Sequence, residues 1–254
     1  MVIVREEVVD MSDKQRLTDI ATEWTLIRTA HAPCVEGSPG GGDAAAAMER
    51  LIGRYHDAVG RYLKLKLRDK NLADEVSQEF WAKLLTHKLA GADPRKGRFR
   101  DYLRTILHRL IIDHFRGRKL LPLPPGELLD PASVDEDFDL VWRESVMKRV
   151  WSRLETYEVN TPKNRYATVL HLRVGNPDAP IERIADLLSE HIGYPIRPEA
   201  FRKSLQRART KFLELLIQEL RETIHPAGPA EIEAEIYDLG LGPLYRRYSE
   251  DYSG

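Results

Sequence analysis

Residues 95–119 read RKGRFRDYLRTILHRLIIDHFRGRK, and the rest of the chain is best read outward from them. Leu103, Ile106, Leu107, Leu110 and Ile111 fall at the i, i+3, i+4, i+7, i+8 spacing of a helix with one buried stripe. The basic residues must then lie on the other side, so Arg100, Arg104, His108 and Arg109 are expected to share one exposed flank. Phe99 and Tyr102 interleave with them near the helix start. Unstacked single-stranded bases require just this pairing, a flat ring for the base and a cation for the phosphate. A solvated basic helix whose aromatics fill the core accounts for the same residues equally well.

Immediately upstream, beyond a break at 91–94, lies DEVSQEFWAKLL, residues 74–85. Val76, Phe80 and Leu84 recur every four residues as a core-facing stripe, and Asp74, Glu75, Gln78, Glu79 and Lys83 occupy the remaining helix surface. Helical periodicity is nearly continuous from 44 to 119, and period-two alternation is absent. Residues 1–43 form an N-terminal extension with a short helical candidate at 22–30 and the flexible-linker signature GSPGGGD. Residues 120–140 combine proline, small residues and acid, which reads as a solvated linker. A second helical block covers 141–224, and a C-terminal extension, 225–254, contains one more helical candidate at 230–239.

The bulk properties bound the function. With 42% hydrophobic and 31% charged residues the chain is globular rather than disordered or membrane-embedded. No apolar run approaches the roughly 18 residues that span a bilayer, and the N-terminal valines alternate with Arg5, Glu6, Glu7 and Asp10, unlike a secretory signal. A cytoplasmic location is expected, with no membrane partner. The single cysteine, Cys34, excludes an internal disulfide, and with His31 alone beside it no metal site is expected. The net charge of −1 conceals segregation. Residues 95–119 carry nine basic side chains against Asp101 and Asp113, 197–211 carry six against Glu199, and 127–139 is purely acidic.

The order DEVSQEFWAKLL, GRFRDYLRTI, LHRLIIDHFRGRK resembles region 2 of bacterial RNA polymerase sigma factors, in particular the extracytoplasmic-function (ECF) class of the sigma-70 family. The resemblance implies that Asp74, Glu75, Gln78, Glu79, Phe80 and Lys83 bind core RNA polymerase. It implies further that Arg98, Phe99, Arg100, Tyr102, Arg104, His108, Arg109 and Arg116 melt and read the minus-ten promoter element. His108 stands where the family often has asparagine, whereas Asp113, His114 and Arg116 keep its pattern.

A sigma factor of this class should end in a helix-turn-helix, and the second block supplies one. IERIADLL gives a first helix with Ile184 and Leu188 inward and Ala185 where the partner passes closely. RPEAFRKSLQRARTKFLELLIQEL gives the second, with Pro198 in the first turn and Phe201, Leu205, Ala208, Phe212 and Leu215 as its buried stripe. Arg202, Lys203, Gln206, Arg207 and Thr210 then face out, a set suited to base edges and phosphates in the major groove. By resemblance to region 4, Arg197, Arg202, Lys203, Gln206, Arg207 and Arg209 read the minus-thirty-five element. The family's tight turn is lengthened here by SEHIGYPI, so either the first helix runs on to Ile192 with Gly193 as its stop, or the turn is remodelled.

The expected architecture is all-α, two helical domains (a region 2 bundle and a region 4 helix-turn-helix) joined by an acidic linker. The expected partners are core RNA polymerase and promoter DNA, duplex and single-stranded, and an anti-sigma factor is a further candidate. No cofactor and no catalysis are expected: H-E-x-x-H, the G-x-x-x-x-G-K-[ST] phosphate loop and G-x-S-x-G are all missing from the sequence. Two other readings fit the same residues, a free-standing helix-turn-helix regulator and a sigma-like protein-interaction module.

Overall fold

A computed structural model describes residues 40–85, 98–118, 136–161, 163–224 and 228–249. The expected helix at 22–30, His31, Cys34 and most of the expected acidic linker lie outside these residues. Among those described, the chain is all-α, with nine helices and no strand. They are α1 (Gly40–Leu67), α2 (Lys70–Leu85), α3 (Phe99–Arg118), α4 (Glu136–Asn160), α5 (Tyr166–Gly175), α6 (Ile181–Ile192), α7 (Pro198–Thr223), α8 (Pro229–Asp238) and α9 (Gly242–Ser249). Two linker boundaries move: α1 takes in the last residues of GSPGGGD, and α4 begins inside the acidic stretch because Phe138 is buried, at 4% exposure.

Local chemistry explains the helix ends. Arg68 adopts a left-handed backbone with φ 53°, and Asp69 then accepts hydrogen bonds from the backbone N–H of Asn71 (2.8 Å) and Leu72 (3.1 Å), capping α2. Glu158 reaches from α4 to the N-terminus of α5, where its carboxylate accepts from Thr168 N–H at 3.0 Å and Thr168 Oγ1 at 2.6 Å. The lengthened connection between α6 and α7 follows the first alternative: α6 runs to Ile192, and Gly193 ends it at φ 80°. Ser189 holds the added residues, donating from Oγ to Ala185 O at 2.7 Å and accepting from Ile196 N–H at 2.8 Å.

α4 is the organising element. It packs on α1 on one side and on α7 and α5 on the other, so the two helical blocks meet across it. Trp142 lies flat on Tyr55 (5.3 Å between centroids, 4°) and 6.2 Å from Phe99, and Phe138 meets Tyr62 edge-on at 5.2 Å. Ion pairs line the α1–α4 seam: Arg61 with Glu144, Lys66 with Asp137 at 3.1 Å and Lys148 with Asp57 at 3.4 Å. Deeper, Arg54 of α1 and Arg149 and Arg153 of α4 converge on Glu219 of α7, which is wholly buried, with Glu222 beside it. α8 and α9 fold back onto α7, with Ile232, Ile236 and the intervening Leu241 buried.

Candidate polymerase and nucleic-acid interfaces

Three helical faces carry the residues singled out by sequence. On α2, Val76, Phe80 and Leu84 are buried with Ala73 and Trp81, and Glu75 and Gln78 are exposed. Asp74, Glu79 and Lys83 are half-exposed, Lys83 bridging Glu79 at 2.7 Å and Lys64 of α1 lying 3.8 Å from Asp74. The face is thus an acidic ridge of Asp74, Glu75, Gln78 and Glu79. Phe80 is a correction: at 0% exposure it fills the core against Trp81 and has no surface to offer a partner.

On α3 the buried stripe is as read, with Leu103, Ile106, Leu107, Leu110 and Ile111 all buried, but the opposite flank is not open. Arg109 is exposed, whereas Arg100 and His108 are buried at 6% and 2% exposure. His108 stacks on Tyr62 (6.3 Å, 19°), and Phe99 packs against Tyr55 at 5.1 Å; these two rings belong to the core. Tyr102 is half-buried, and burial pushes its phenol up to about 12. Arg104 pairs with Asp101 one turn earlier at 3.1 Å. The side chain of Arg116 lies outside the described residues.

Arg98 and Arg100 are engaged by residues that sequence reasoning passed over. The Arg98 guanidinium donates to both Glu235 and Asp238 of α8. That of Arg100 stands 3.6 Å from Glu235, 3.7 Å from Asp139 of α4 and 4.0 Å from Asp238. Burial lowers the Arg98 guanidinium's basicity, but the Asp238 and Glu235 carboxylates outweigh it and hold it above its ordinary value. The signal was present: PAEIEAEIYD places acids beside an Ile232–Ile236 stripe, the charge complement of 95–119.

On the α6–α7 pair, Arg197, Arg202, Lys203, Gln206 and Arg207 are all exposed, over the buried Phe201, Leu205 and Ala208. Arg202 reaches back to Glu182 of α6 at 2.9 Å, with both side chains more than half exposed. Arg209 is half-buried, its guanidinium 5.6 Å from the Tyr248 ring of α9, and so turns away from the outward set. Among the described residues no group of three or more metal-ligating side chains occurs, and no helix is long and apolar enough to cross a membrane.

Comparison with known proteins bears on the first two faces. Residues 51–120, the span from mid-α1 past the end of α3, match the family model for sigma-70 region 2. The chain is also 32% identical over 93 residues to the ECF RNA polymerase sigma factor BldN of Streptomyces coelicolor, an alignment covering 36% of this chain and 34% of that protein. The chain thus matches about a third of the length of its curated relative. No solved structure matches. Residues 51–120 are therefore similar to sigma-70 region 2, in the span that carries α2 and α3.

Proposed function

We propose that this chain is an ECF-class sigma factor, which binds core RNA polymerase, directs it to promoters, opens the DNA and starts transcription without itself catalysing a reaction. One observation supports this above the others: a region 2 helical unit stands in the same chain as an α6–α7 pair with Arg202, Lys203, Gln206 and Arg207 on its open face. In this reading the acidic ridge of α2 docks on polymerase. Arg98, Arg100, Tyr102, Arg104, Arg109 and Arg116 engage the minus-ten region, and α7 anchors the upstream duplex in the major groove. Phe99 and His108 support that surface from beneath. The division at 44–119 and 141–224, the cytoplasmic location and the anti-sigma partner are parts of the same proposal.

The near-neutral net charge fits a protein whose DNA affinity is completed by polymerase rather than held alone. Run-off transcription with purified core RNA polymerase on a library of upstream fragments tests the reading. Transcripts should require this protein and vanish when Asp74, Glu75 and Glu79 are replaced by alanine. Tight, salt-sensitive duplex binding without polymerase, and no transcripts, would instead mark a free-standing regulator.

A further inference from the structure

α8 places its acids on the arginines at the head of α3. Glu235 and Asp238 are three positions apart, so both project from one helix face, and Ile232 and Ile236 on the adjoining face seat the helix in the core. Glu235 is 1% exposed and Arg100 6%. Two charges removed this far from water gain little net stability from each other, and apolar residues of the same volume would hold α8 at least as well. Charge at this position is better explained by what the arginines meet when α8 is elsewhere. A carboxylate pair and a nucleic-acid phosphate offer a guanidinium the same acceptors.

We propose that α8 is an acidic stand-in for the DNA backbone, in which Glu235 and Asp238 occupy Arg98 and Arg100 in the free protein and compete with a single strand for them. The inference rests on the reading of Arg98 and Arg100 as DNA-contacting residues. The fold allows the exchange. α8 follows α1–α3 in the chain, so it can move away without interrupting their backbone. An open cleft of about 410 Å³, walled by Asp139, Arg143, Asp238 and Gly240 among others, already separates its C-terminal end from α4. Asp139, a further acid at the site, belongs to α4 and remains with Arg100 when α8 leaves.

The test uses the full chain and a fluorescent single strand of about 15 mixed nucleotides, read by anisotropy at low salt. Asp238→Asn, at a half-exposed position, and the Glu235→Gln, Asp238→Asn double variant should bind the strand about tenfold more tightly than the unaltered protein, since a competing closed state lowers apparent affinity by its own population. The gain should disappear when Arg98→Ala and Arg100→Ala are added. Independently of any DNA affinity, backbone amides of 229–238 should exchange faster in Asp238→Asn, and in the unaltered chain when the strand is added. Unchanged affinity and exchange in Asp238→Asn, with cooperative melting retained, would overturn the proposal, as would a gain that survives loss of both arginines. The two readings fail separately. Tighter strand binding by the variants beside no polymerase-dependent transcription would leave the α8 competition standing and remove the sigma assignment, and the reverse pattern would do the opposite.

Discussion

Glu219 and Glu235 are equally hidden, at 0% and 1% exposure, and each faces arginines from another part of the chain. Burial raises both carboxyls, but the outcome differs. Around Glu219, the guanidiniums of Arg149, Arg54 and Arg153 outweigh burial and hold the carboxyl below its ordinary range. Around Glu235, burial prevails over Arg100 and Arg98, aided by the Asp101 carboxylate, and the carboxyl lies above that range. The geometry accounts for the contrast. Glu219 receives close ionic contacts from α1 and α4, whereas Glu235 has close contact with Arg98 alone, and Arg100 stands off at 3.6 Å among competing acids. The first carboxylate is held at close range by three guanidiniums and the second by one.

Replacing Glu219 by alanine should have the largest effect, a loss of about 3 kcal/mol or more in urea unfolding, because Arg149 loses its carboxylate and Arg54 and Arg153 are left to Glu222. Glu235→Ala should cost less, about 1 to 2 kcal/mol, since Asp238 and Asp139 still face the two arginines. An equal loss in both variants would erase the distinction between the clusters.

Gly240→Ala sharpens it further. Gly240 turns the chain out of α8 at φ 67°, where a side chain is strained, and an added Cβ would stand 3.1 Å from the Arg143 guanidinium. About 1 kcal/mol should be lost, with faster amide exchange in α8 and none of that increase in α7.

The pH dependence should have opposite signs, and is the smallest effect. Glu219, facing Arg54, Arg149 and Arg153 with Glu222 nearby, contributes stability that is fully present above the ordinary value of 4.5 and is lost as pH falls through its lowered one. Glu235, facing Arg98, Arg100, Asp101 and Asp238, contributes stability that is present below 4.5 and is lost as pH rises through its raised one. In unfolding measurements the unaltered protein should therefore lose stability relative to Glu219→Gln as pH falls below 4.5, and relative to Glu235→Gln as pH rises above 4.5.

Much of this molecule was legible as periodicity. The stripes Val76–Phe80–Leu84, Leu103 to Ile111 and Phe201 to Leu215 are buried as read, because a stripe at helical spacing needs only its own helix to be recognised. The extension of α6 to Gly193 was among the alternatives for the same reason: left-handed termination is a property of one residue. What failed was the inference that the flank opposite a stripe faces water. Arg100 and His108 are covered by α4, α8 and Tyr62, elements up to 140 positions away for the Arg98–Asp238 pair beside them, and no local pattern encodes such closure. Phe80 shows the same limit from the other side, since its family pattern and its burial were both visible and only packing decided between them.

The stacking of Trp142 on Tyr55 has a consequence for how such proteins can be cut and recombined. The match to the family model ends at 120, but the rings of Tyr55, Tyr62 and Phe99 are covered by a helix that begins at 136. The matched stretch and the packed unit therefore have different borders. A fragment stopping at 120 would bare three aromatic faces and invite association. A chimera that joins residues 51–120 to another protein's second half would have to bring α4 along, or rebuild its aromatic seam to match.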